Sequence, residues 1–196
     1  MVPVRQAVTV DRAGVIDTVV SAFHGDPAWE FMHGDDYARV APLLAGVLFD
    51  LRVESGQVWV TDDLTSVALW EAPAERSLMS TGERASVWDR YREEAGEAVW
   101  ELLHRYDVAV EAVMPTEPYW YLGVLATRPE CQGKGQARAV TSPVLAVADR
   151  DGINCCLETS KPSNKALYAR LGFEPTADIK IEGGPPTWWL TRTPAR

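Results

Sequence analysis

Apolar and polar positions along the chain change period several times, and each change marks an element. Val2–Val10 alternates and reads as a strand. Asp11 then stands where an N-cap belongs, ahead of a helix to about Phe23 with Val15, Ile16, Val19, Val20 and Phe23 on one face. His24–Asp35, rich in Gly, Asp and aromatic residues, reads as a loop. A second helix is predicted from about Tyr37 to Glu54, its apolar face built from Val40, Leu43, Leu44, Val47, Leu48 and Leu51. Gln57–Thr61 and Thr65–Glu71 read as a hairpin around Asp62-Asp63, and Thr81 to about Met114 is helical in two pieces.

The densest β signal follows Pro118, at Tyr119–Thr127. A Gly-rich turn leads into a helix from about Gly135 to Asp149, which Pro143 should kink. Ile153–Thr159 is predicted as a strand, and Ser163–Leu171 as a short helix stopped by Gly172. Phe173–Ile181 and Thr187–Arg192 pair as a hairpin about Gly183-Gly184-Pro185. With no repeat or low-complexity linker, a single domain over 1–196 is expected. Strands at both ends and a β–loop–α–β–α unit in the last third predict an α/β class (α+β, mixed sheet), with helices on both faces of a central sheet.

Composition changes the picture in three ways. At 46% apolar and 24% charged residues, the chain is ordinary globular protein rather than collagen, coiled coil or disorder. Its formal charge of −9 disfavours nucleic acid and anionic membranes as general partners, though a local cationic pocket for one phosphorylated ligand remains compatible. No stretch approaches the ~20 apolar residues of a membrane span, and the first residues lack a signal-peptide core, so a soluble cytoplasmic protein is expected. Cys131, Cys155 and Cys156 are odd in number with two adjacent, which points to reduced thiols. His24, His33 and His104 share no ligand spacing with them, so no metal is expected.

The most informative segment runs from Val124 to Arg138: a strand, a turn with two glycines, then a helix. A helix N-terminus offers free N–H groups and partial positive charge, and glycine lets an anion come close. A Walker loop is excluded, because Arg128 stands where its first Gly belongs and Gly135 follows Lys134. The dinucleotide pattern fails too, since its third Gly would be Arg138. Gln132-x-x-Gly135-x-Ala137 remains, a pattern suited to the pyrophosphate of coenzyme A.

The next segment, Leu157–Phe173, contains Asn164-x-x-x-Tyr168 and Gly172-Phe173 at a spacing that resembles the GNAT N-acetyltransferase superfamily. The resemblance runs from about Val4 to Arg192 and is greatest to puromycin N-acetyltransferases, through Gln57-Val-Trp-Val, Gln132-Gly-Lys-Gly, Leu157-Glu-Thr-Ser, Leu171-Gly-Phe, Thr176-Ala-Asp, Pro186-Thr-Trp and Thr191-Arg. It implies a splayed, mostly antiparallel sheet and acetyl-CoA as cofactor. Pantetheine would lie along Leu125, Ala126 and Thr127. The pyrophosphate would lie on the N–H groups of Gly133, Lys134, Gly135, Gln136, Ala137 and Arg138, with Gln132 in the loop and the Asn164 amide against the cofactor. The loop Ala28–Asp36 and the segment Arg76–Met114 do not match those enzymes closely, and these are the parts expected to choose the acceptor.

Acetyl transfer to an amine needs a base for the amine and a proton for the leaving thiolate. By the resemblance, Tyr168 is the acid. Glu158, pointing to the other face of its strand from Leu157 and Thr159, is the candidate base, with His24, Asp26, Glu30 and Glu71 as rivals and a water path as the alternative to any of them. Trp29, Phe31, Trp70, Tyr119 and Tyr121 are the aromatic candidates for the acceptor pocket. The expected partner is a small-molecule amine, with the chain a monomer or homodimer. A peptide or protein N-acetyltransferase and an inactive acyl-CoA-binding sensor are the alternatives. Bulky aromatics on the acceptor side argue against the first, and retention of Tyr168 with the full loop argues against the second.

Overall fold

The computed structural model describes residues 2–73 and 83–195. Seven strands form one sheet: β1 (Val4–Gln6), β2 (Val58–Thr61), β3 (Ser66–Glu71), β4 (Tyr119–Thr127), β5 (Asn154–Thr159), β6 (Glu174–Ile179) and β7 (Thr187–Arg192). Their order is β1-β2-β3-β4-β5-β7-β6, antiparallel throughout except for β4 with β5. The helices are α1 (Arg12–Phe23), α2 (Pro27–His33), α3 (Tyr37–Val53), α4 (Glu83–Ala95), α5 (Glu97–Glu111), α6 (Gln136–Asp151) and α7 (Asn164–Ala169).

Strand alternation splits the core between two faces. Val67 and Leu69 of β3 join α1 to α5 through Val15, Val19, Leu44, Trp88 and Leu103. Ala68 and Trp70 join α6 through Val140, Val144 and Ala148, with Tyr168, Leu171 and Phe173 beside them. The mixed α/β class and the helices on both faces are as the sequence pattern predicts.

Several boundaries differ from expectation, for local reasons. The first strand stops at Gln6 because the chain turns: the Asp11 carboxylate accepts from the Val8 N–H at 2.8 Å and pairs with Arg5 at 2.7 Å. Asp11 therefore does not cap α1 with its side chain. The supposed loop His24–Asp35 holds α2, since the Asp26 carboxylate accepts from the N–H groups of Ala28 and Trp29, with Pro27 at the first helical position. The α6 helix continues through Pro143. The helix pair of the 81–114 region breaks at Gly96, where φ is +94°; its predicted start at Thr81 lies outside the described residues.

The site is set by how β4 and β5 meet. They pair only through Tyr119↔Asn154, Trp120↔Cys155 and Tyr121↔Cys156. Beyond that, β5 runs on to Thr159 bonded only to β7 on its other edge, which it pairs along Cys155–Thr159, while β4 runs on to Thr127 bonded only to β3. The two strands part into a V. On its other edge β4 meets β3 with Leu69 opposite Val124 and Trp70 opposite Leu122, leaving Gly123 as the extra residue of a bulge.

Candidate active site

A groove of about 560 Å³ opens at the mouth of the V, lined by Leu125 and Thr127 of β4, the turn from Cys131 to Arg138, and Asn164, Leu167 and Tyr168 of α7. In the turn, Gly133 and Gly135 have φ of +76° and +80°. A β-carbon at either would meet nothing within 4 Å, so these positions need glycine for conformation rather than for space. The first bond of α6 runs from the Ala139 N–H to the Gly135 carbonyl at 3.1 Å, so Gln136, Ala137 and Arg138 present their N–H groups at the helix end.

Side chains hold this turn in place. Gln132 donates to the Thr127 carbonyl at 3.1 Å, and Gln136 donates to the Thr65 hydroxyl at 3.0 Å. Lys134 turns aside to the Glu130 carbonyl at 3.0 Å and is absent from the groove lining, whereas Arg138 lines it. Ala126 is buried beneath, its carbonyl accepting from Ser66 Oγ at 3.0 Å. The edge of Leu125–Thr127 facing away from β3 has no strand partner.

A smaller cavity of about 100 Å³ lies deeper, between the sheet and α2, α3 and α5. It shares Phe23, Asp26, Leu125, Asn164 and Tyr168 with the groove, so these residues stand where the two spaces meet. Glu158 lines the cavity and accepts from the Tyr121 hydroxyl at 2.9 and 2.7 Å. Burial pushes the Glu158 carboxyl up to about 7, against the lowering effect of the Tyr121 hydrogen bond. Burial, followed by the charges of Glu158 and Asp26, raises the Tyr168 hydroxyl above the usual tyrosine range, so it stays protonated. Asn164 Nδ2 lies 3.5 Å from Thr159 Oγ1, at the start of α7.

Of the five aromatic candidates, Trp29 and Tyr121 line the cavity and three do not. Trp70 alternates with Glu71, so the indole goes to the α6 face while Glu71 faces Arg52. Tyr119 lies two residues toward the closed end of the V and packs edge-on against Trp189 at 5.8 Å. Phe31 points to the β6–β7 turn, where its ring lies 3.5 Å from the β-carbon position of Gly184. Among the rival bases, His24 and Glu30 are exposed, and Asp26 caps α2. Glu71 is bound to Arg52 at 2.5 Å.

Among the cavity residues that the sequence reading passed over, three carry a local signal. Gly123 stood inside a strand, which by itself signals a bulge. Arg52 and Asp107 were charges on apolar helix faces; Asp107 sits within the stripe of Leu103, Tyr106 and Val110. The three cysteines are free thiols, and burial pushes Cys155 up to about 12. Among the described residues no group of three or more His, Cys, Asp or Glu could hold a metal ion, and no helix is long and apolar enough to cross a membrane.

Residues 85–173 match the acetyltransferase (GNAT) family. An uncharacterised N-acetyltransferase of Schizosaccharomyces pombe is 23% identical over 171 residues, covering 80% of this chain and 68% of that protein. A crystal structure described as histone acetyltransferase HPA2 and related acetyltransferase, from Corynebacterium glutamicum, superposes with a TM-score of 0.65 at 25% identity, covering 100% of this chain and 98% of that one. Arylalkylamine N-acetyltransferase 2 from Aedes aegypti has the same fold, with a TM-score of 0.64 at 14% identity over 97% of this chain and 98% of its own. Family match and fold together support an acyltransferase of the GNAT type.

Proposed function

We propose that this GNAT-type acyltransferase moves an acetyl group from acetyl-CoA to the amine of a small molecule, with puromycin-type aminonucleosides and other small apolar or aromatic amines as the acceptors to test first. One observation carries the reading. Tyr168 stands where the groove meets the cavity, and Glu158 lines that same cavity.

The residues present fit acetyl-CoA. An unpaired strand edge at Leu125–Thr127 suits the amides of pantetheine, and the N–H groups of Gln136, Ala137 and Arg138 suit a pyrophosphate. When bound, acetyl-CoA supplies an acyl carbon activated as a thioester. Glu158, poised near 7, takes the proton that the amine must lose as its nitrogen bonds to that carbon. Tyr168 keeps its hydroxyl proton until the sulfur leaves and then donates it. Gly123, the unpaired residue of the bulge, offers backbone groups to the cavity for the charge that develops on the carbonyl oxygen. Trp29, Met32, Trp88 and Leu103 supply apolar walls that exclude water from a small acceptor.

Incubation with acetyl-CoA and a panel of amines, read by release of free thiol and product mass, tests this. Small amines should release thiol well above the acceptor-free control. Thiol release with none of them, or faster acetylation of peptide N-termini than of every small amine, would overturn the reading.

A further inference from the structure

Asp107 lies on α5, in the wall of the cavity, and is only 5% exposed. Its Oδ2 atom is buried and has no hydrogen-bond partner. A buried acceptor left unmatched is costly, and such groups recur where a ligand completes them. The buried donors Arg52 Nε and Trp88 Nε1 of the same lining are also without a partner and make no hydrogen bond to Oδ2. Arg52 is the sole cation among the described residues that line the cavity, and its charge is matched by Glu71 at 2.5 Å, with Nη1 donating to the Leu48 carbonyl at 2.9 Å. Asp26 caps the start of α2 through Oδ1, and Glu158 receives Tyr121. The lining therefore carries acidic groups in excess of free cations, between the aromatic faces of Trp29, Trp88 and Tyr106.

We propose that Asp107 determines acceptor specificity by receiving a second basic nitrogen of the substrate, so that diamines and amino-guanidines are preferred over monoamines while Glu158 serves the nitrogen that is acetylated. This rests on the reading of the chain as a small-amine acetyltransferase. The buried Oδ2 gains a charged donor, and the aromatic walls hold the intervening apolar stem and favour the cation. Burial and the charges of Glu158, Glu111 and Glu71 raise Asp107 well above the usual carboxylate range, and a cation beside its carboxyl would act in the opposite direction.

The test compares linear diamines with monoamines and amino alcohols of the same chain length, as kcat/KM at saturating acetyl-CoA. The wild type should favour the diamine at least tenfold. Asp107→Asn should cancel that preference by raising KM for the diamine, with KM for the monoamine and for acetyl-CoA unchanged; Asp107→Ser serves if the first variant does not fold. The wild-type ratio stands without any variant. If monoamines are acetylated as well as diamines, or if the amino alcohol equals the diamine, the proposal fails while the acetyltransferase reading stands. A diamine preference that survives both substitutions would also overturn it. Failure to acetylate any amine would remove both.

Discussion

The Tyr121 hydroxyl donates to both oxygens of Glu158, at 2.9 and 2.7 Å, across the line where β4 and β5 part. Tyr121 is the last β4 residue in register with β5, and Glu158 lies two residues beyond its partner Cys156. The bond favours the carboxylate, while burial favours the neutral acid more strongly, and the balance holds Glu158 near 7.

A base of that strength should appear in the pH profile of kcat/KM as an acid limb with its midpoint near 7, the rate falling as pH falls and the carboxylate protonates. Tyr121→Phe removes a donor to the carboxylate and should move the limb to higher pH. Glu158→Gln should remove the limb and slow turnover roughly 10²–10⁴-fold. An unchanged limb in Glu158→Gln would assign the base elsewhere.

The same group predicts a stability trend. Because burial raises Glu158 in the folded protein, the native state binds more protons than the unfolded chain between the ordinary carboxylate range and about 7. Its contribution to stability therefore declines as pH rises through that window. Glu158→Gln should flatten this part of the curve and melt at a higher temperature than wild type at pH 8, as read by circular dichroism. An equal or lower melting temperature there would contradict the burial argument.

Tyr168→Phe removes one hydroxyl from a ring packed edge-on against Phe173 at 6.1 Å. Stability should change by no more than about 1–2 kcal/mol. If the hydroxyl protonates the leaving sulfur, single-turnover chemistry should slow roughly 10²–10⁴-fold with acetyl-CoA affinity intact. A chemical rate within about threefold of wild type would leave Tyr168 a packing residue.

Gly135→Ala tests the turn that opens α6. At φ +80° an alanine costs about 1–2 kcal/mol of strain, yet its β-carbon meets nothing within 4 Å, so the variant should fold. Displacing this backbone should weaken CoA binding at least tenfold by calorimetry, about 1.4 kcal/mol, while leaving the acceptor KM unchanged. Unaltered CoA affinity would detach the turn from cofactor binding.

What the sequence determined by itself was local in origin. The run after Pro118 places β4 at Tyr119–Thr127, the alternation of the last segment places β7 at Thr187–Arg192, and two glycines mark the turn before α6. Even α2 was written in Asp26-Pro27, though hidden among loop-forming neighbours. Period and capping report on residues within one or two turns of each other, and there the sequence is explicit. The tertiary structure alone decided where β4 and β5 part, because pairing between strands more than thirty residues apart is set by how the whole sheet packs between its helices. It also decided that Trp70 and Tyr119 are core while Trp29 and Tyr121 face the cavity. The acidity of Glu158 and the unmatched oxygen of Asp107 belong to the same class. Burial and charge act through space, and they sum over groups from α5, β3, β4 and β5 that no window along the chain brings together.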